Sequence, residues 1–270
     1  MRPPVLPEET QVIRRFPADF CEVLTPHGLR ILEGRSPLEG ALSREGRRFL
    51  TLPRIIDPKA ARGCLQVLER AFPGKLTRME TPIPPEALWG MTHNYAELLP
   101  KSARVWTAQL ASRRERAFEI AEEVGLVRFL RSESFRLFAQ RLNGRPLRKR
   151  WGIQLLCYGP GDYAGPHNDH HPEDAEAQDG YLDVHLTFAN AGVGRQLLVY
   201  ERRGHLSEVT SVRTVGGVTA YRLPFWHYTT PLEPRRGRGE DARRWVLLGT
   251  FLDGQDAARR ARSTVEPSSG

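Results

Sequence analysis

From residue 151 onward, apolar and polar positions alternate in short bursts separated by glycine and proline. "YLDVHLTFA" (181–189) puts Leu182, Val184, Leu186 and Phe188 on one side of an extended chain and Asp183, His185 and Thr187 on the other. The same reading predicts strands near 151–158, 163–169, 196–201, 207–213, 217–222, 225–229 and 244–252. Eight short strands at this spacing suit a jelly roll better than an alternating α/β sheet. Before residue 145 the period is helical. "DPKAARGCLQVLERAF" (57–72) sets Ala61, Leu65, Leu68 and Phe72 on one face, with Asp57 as N-cap and a proline at the first helical position. A long helical stretch is expected over 102–132, broken at Gly125, and a shorter one over 132–144, ended by Asn143-Gly144.

The expected class is therefore α+β: a jelly-roll core with N-terminal helices packed on one sheet. The expected division is a mainly helical region over 1–145, a barrel core over 146–253 and a disordered tail over 254–270.

Composition narrows this picture in three ways. No run reaches the roughly 18 apolar residues of a membrane helix, and the N-terminal stretch carries prolines and glutamates where a signal peptide has its apolar core. The expectation is a cytoplasmic protein with no membrane partner. Cys21, Cys64 and Cys157 lie far apart with no CxxC pair, which argues for reduced structural thiols. The net charge of +8 raises the question of nucleic acid. Its densest runs, "RPLRKR" (145–150) and "PRRGRGEDARR" (234–244), lack the interleaved aromatics that stack on bases and read as solvated loops.

The candidate chemistry sits in "GPHNDHH" (165–171). On a strand His167 and Asp169 share one side while Asn168 faces away. Two histidines and a carboxylate on one face of an octahedron form the ligand set of non-haem iron(II) oxygenases. His227, in "RLPFWHYTTPL", is the candidate third ligand. A co-substrate carboxylate inside a barrel is best held by a guanidinium, and Arg244, opening the last strand, supplies one. A zinc site from His167, His170 and His171 is the competing metal reading. His185 either lines the site or is a hydrogen-bonded structural histidine.

"IQLLCYGPGDYAGPHND", "GGVTAY", "WHYTTPL" and "RRWVLLGTFLD", in that order over roughly 150–253, resemble the successive signatures of iron(II)- and 2-oxoglutarate-dependent dioxygenases, in their prolyl-hydroxylase-like branch. The resemblance implies a double-stranded β-helix, with His167, Asp169 and His227 as iron ligands. It also implies Arg244 on the distal carboxylate of 2-oxoglutarate, with Tyr158 hydrogen-bonding the same group. It further implies Fe(II), 2-oxoglutarate and O2 as cofactor and co-substrates, and hydroxylation of a C–H bond with release of succinate and carbon dioxide. Two departures stand out: "EPRRGRGEDAR" lengthens the stretch between His227 and Arg244, leaving Arg243, Arg235 and Arg236 as rivals, and Gly194-Arg195-Gln196 stands where a Gly-Gly pair is common. A protein residue or an amino-acid-like small molecule is the expected substrate. The alternatives are a catalytically silent jelly-roll binding module and a cupin-like or zinc metalloenzyme on a similar barrel.

Overall fold

The computed structural model describes residues 15–44, 47–83, 102–111, 115–169, 180–203 and 205–254. The expected tail, the N-terminal stretch, and His170 and His171 lie outside the described residues. Among the described residues no helix is long and apolar enough to cross a membrane.

Thirteen strands are described: β1 (Phe49–Leu52), β2 (Thr77–Pro82), β3 (Ser102–Gln109), β4 (Gly152–Tyr158), β5 (Tyr163–His167), β6 (Tyr181–Ala189), β7 (Val193–Arg195), β8 (Leu197–Arg202), β9 (His205–Ser211), β10 (Val215–Leu223), β11 (His227–Thr229), β12 (Glu233–Pro234) and β13 (Arg244–Leu252). The main sheet runs β1-β10-β6-β13-β4-β3-β5-β11-β8-β9, all antiparallel, with β2 pairing β3 off this path. It curls into a nearly closed jelly-roll barrel. One end of the path returns to the strand next to the other end through side chains, where Phe49 of β1 stacks on Tyr200 of β8 at 3.8 Å between ring centroids.

Alternation decides what each face of the central strands meets. Leu182, Val184, Leu186 and Phe188 of β6, with Leu247 and Phe251 of β13, face outward into a core built with the helices. The helices are α1 (Pro26–Leu32), α2 (Pro58–Ala71), α3 (Arg116–Glu123), α4 (Leu126–Leu130) and α5 (Glu133–Asn143). Helix α2 starts as its sequence predicts, the Asp57 carboxylate accepting from the Lys59 and Ala60 amides ahead of Pro58. Helices α2 and α5 cross β6 and β10, and Phe135 of α5 meets Phe251 edge-on at 5.6 Å. Each such buried ring stabilises the fold by roughly 1.5–3 kcal/mol. Helix α5 ends at Gly144, whose φ of 72° needs glycine and where a Cβ would stand 2.5 Å from the Gly40 Cα. Behind it, Arg222 of β10 donates two bonds to the Asp253 carboxylate, at 2.8 and 2.7 Å, clamping the end of β13.

One expected helix is a strand. Ser102–Gln109 was expected to begin a helix but forms β3, with Trp106–Gln109 paired to β4 and Ala103–Arg104 paired to β5. Val105, Trp106 and Thr107 are β-formers, and Ala103 and Val105 line the barrel interior while Ala108 faces the core. The helical part starts only at Arg116 and breaks at Gly125 (φ 78°), as the sequence suggests. Strand β3 therefore links the two halves of the barrel wall.

Candidate active site

Between β4 and β5 the chain jogs through Gly159–Asp162 while β3 runs alongside both strands. The buried Asp162 carboxylate holds this jog: it accepts from the Gly159 amide at 2.8 Å and from Arg78 at 2.9 Å. The jog delivers His167 at the end of β5. There His167 stands directly across from His227 of β11 in the antiparallel register, and the two rings lie 4.4 Å apart.

The strand expected over 163–169 stops at His167, so Asp169 does not share a side with it by alternation. Instead Asp169 takes a left-handed backbone conformation (φ 52°), and Tyr181 pins that turn by donating its hydroxyl to the Asp169 carbonyl at 3.0 Å. The turn brings the carboxylate between the two rings, Oδ1 lying 3.5 Å from His167 Nε2 and Oδ2 3.5 Å from His227 Nε2. The three ligand atoms fall within 4.8 Å of one another.

Both imidazoles are oriented from behind. His167 Nδ1 lies 2.6 Å from the Gly165 carbonyl and His227 Nδ1 lies 3.0 Å from the Phe225 carbonyl, which places the N–H there and leaves the Nε2 lone pairs facing inward. Burial, and then the neighbouring His167, push His227 down to about 4, so it is neutral at physiological pH. Two imidazoles whose Nε2 atoms face inward, with one carboxylate, suit a divalent metal of the first transition row.

Arg244 lines the same cavity and is 2% exposed. Its Nη1 donates to Gln196 Oε1 at 2.7 Å, its guanidinium carbon sits 4.6 Å from the centre of the Tyr158 ring, and its buried Nε has no partner. Among the described residues no carboxylate lies within ion-pair distance of it. An uncompensated buried cation costs several kcal/mol, so this part of the cavity is built for an anion. The rivals lie elsewhere: Arg235 and Arg236 are exposed, Arg243 is half-buried, and none of them lines the cavity.

The cavity measures about 1140 Å3. Its inner wall carries Asp183 and His185 of β6, and its rim carries Arg131, Lys149, Arg150 and Trp151. Four residues that line or support the site were missed by sequence reasoning. Gln196 registered only as a departure from a Gly-Gly pair, yet its amide donates to the Asp162 and Thr230 carbonyls while its oxygen holds Arg244. Asp183 registered only as a face-mate of His185. Lys149 and Arg150 fell in a run taken as a solvated loop.

No protein-family model matches the chain, and no curated protein matches it. Solved structures do. A prolyl 4-hydroxylase from Phytophthora capsici superposes with a TM-score of 0.51 at 13% identity, covering 90% of this chain and 70% of that one. A 2OG-Fe(II) oxygenase-family oxidoreductase from Burkholderia pseudomallei gives 0.49 at 13% identity, covering 84% and 92%. A Pseudomonas putida prolyl-4-hydroxylase gives 0.48 at 12% identity, covering 83% and 100%. At these identities the likeness is one of fold alone, and it is carried by the Phytophthora capsici enzyme.

Proposed function

We propose that this protein is an iron(II)- and 2-oxoglutarate-dependent oxygenase that hydroxylates a C–H bond of a protein residue or an amino-acid-like molecule. One observation carries the reading: His167, Asp169 and His227 converge on the wall of a cavity that is also lined by the buried guanidinium of Arg244, whose Nε has no partner.

In this reading His167, Asp169 and His227 hold the metal. The Gly165 and Phe225 carbonyls fix the tautomers that make both histidines ligands. Arg244 holds the distal carboxylate of 2-oxoglutarate through its guanidinium fork, and Gln196 keeps that fork from rotating. Tyr158, fully buried against Arg244, has its hydroxyl acidity suppressed first by desolvation, so it serves as a neutral donor to the same carboxylate. Leu156, Val105 and Leu248 line the same cavity and exclude water from it. Bound there, iron(II) with O2 and 2-oxoglutarate supplies the oxidising chemistry: one oxygen atom enters succinate, the other enters the substrate C–H bond, and carbon dioxide leaves.

The test is succinate formation by purified protein given iron(II), 2-oxoglutarate and O2, compared with the His167→Ala variant. Succinate from the wild type and none from the variant is expected. Equal yields from both, or none from either, refute the assignment.

A further inference from the structure

The cavity is larger than a metal and a small dicarboxylate require, and the remaining space has a charge pattern of its own. On its inner wall Asp183 is 8% exposed, and its Oδ1 is buried with no hydrogen-bond partner. Among the described residues the only imidazole close to its other oxygen is His185, at 3.9 Å from Oδ2, beyond hydrogen-bond distance. Burial raises the Asp183 carboxyl above its ordinary range, although His185 and Thr250 pull the other way. Tyr181 and Tyr221 flank it in the cavity lining. Asp183 lines the cavity among these aromatic rings, and a buried carboxylate there is a site for a cation.

The rim has the opposite sign. Arg131, Lys149 and Arg150 line it, and among the described residues none of the three has a carboxylate within ion-pair distance. Arg131 lies over the Trp151 ring, 5.5 Å from its centre, and donates to the Trp151 carbonyl. Glu133, which feels the Lys149 charge, is itself committed to Arg136. In the strand register Gly152 lies opposite Thr250 and Thr250 opposite Asp183. Two strand spacings, roughly 10 Å, therefore separate the acidic wall from the chain that carries the rim.

We propose that the molecule oxidised is a zwitterion of the basic amino-acid kind: an ammonium or guanidinium docks on Asp183, and a carboxylate several bonds away docks on Arg131, Lys149 and Arg150. This proposal rests on the oxygenase reading and adds the substrate class to it. The extended side chain of lysine or arginine spans the gap, whereas a short neutral amino acid leaves one end unpaired. An unpaired end costs more than a missing contact, because the buried partner stays desolvated.

The experiment is calorimetric titration of protein preloaded with manganese(II) and 2-oxoglutarate. The probes are L-lysine and L-arginine, set against L-norleucine, which lacks the side-chain cation, and cadaverine, which lacks the carboxylate. At least one basic amino acid binding about tenfold or more tighter than both controls is expected. Asp183→Asn then removes the preference over norleucine, and Arg131→Gln with Lys149→Gln removes the preference over cadaverine. Norleucine or cadaverine matching the basic amino acids, or no binding by any probe, overturns the proposal on the wild type alone, whatever the variants do. The preloading step separates the two claims: protein that takes up neither manganese nor 2-oxoglutarate loses the oxygenase reading and this proposal together, whereas protein that takes up both but ignores the side-chain cation loses only this proposal.

Discussion

The two faces of β4, β6 and β13 share a backbone and differ in everything else. The outward face is Ile153, Leu155, Leu186, Phe188, Leu247 and Phe251, sealed under helices. The inward face is Gln154, Tyr158, Asp183, His185, Arg244 and Thr250, turned to a cavity. The outward face is packed and almost wholly apolar, although Trp245 there leaves its indole nitrogen buried without a partner. The inward face leaves an Arg244 Nε and an Asp183 Oδ1 buried without partners, a condition a protein tolerates where a ligand completes the bonding. Stability and chemistry are thus divided by residue parity along the same strands, and substitutions on one face should leave the other's property largely intact.

The largest effect belongs to the ligand turn. Asp169→Ala should abolish succinate formation and lower manganese affinity by more than the roughly 10–100-fold typical of changes behind a ligand, while urea unfolding stays near wild type. On the opposite face, Phe251→Ala should cost about 3–5 kcal/mol in urea unfolding, with metal affinity of the folded protein unchanged. Parallel loss of both properties in either variant would break the division.

Smaller changes sharpen it within the cavity. Arg244→Gln should raise the KM for 2-oxoglutarate roughly 10–100-fold, hydrogen bonds to charged groups being worth about 1.5–3 kcal/mol, with a much smaller fall in kcat at saturating co-substrate. Gln196→Leu leaves the Arg244 fork in place and removes its tether, together with the amide's bonds to the Asp162 and Thr230 carbonyls, so the same KM should rise by no more than about tenfold.

The smallest effect is a pH dependence of the metal-free protein. His227 is pushed down to about 4 from an ordinary value of 6.5, so between these values the unfolded chain binds the proton and the folded chain does not. The stability this neutral histidine allows is complete above pH 6.5 and is lost as pH falls toward 4. Urea midpoints measured from pH 7 to 5 should decline, and His227→Gln should flatten that decline.

What the sequence discloses follows the same division. Strands 181–189 and 244–252 are readable to the residue because one face is continuously apolar and the period is two. Arg244 is readable because it opens such a strand, and His167 and His227 because each stands at the end of a short extended segment. Ser102–Gln109 misleads because Ala103, Arg104, Ala108 and Gln109 are good helix formers, and only pairing with β4 and β5 makes the segment extended. Asp169 joins the two histidines for a different reason than alternation supplies, since its placement depends on a left-handed turn held by Tyr181, twelve positions on. Gln196 and Asp183 carry no local signal, because their importance arises from which groups they leave satisfied or idle once the barrel closes.

Manganese(II) titration of the metal-free protein, followed by calorimetry in the wild type and in His167→Ala, Asp169→Ala and His227→Ala, tests the convergence most directly. One ion per chain in the wild type, with binding lost in each of the three variants, is the predicted result. Binding that survives any one of these substitutions unchanged would contradict it.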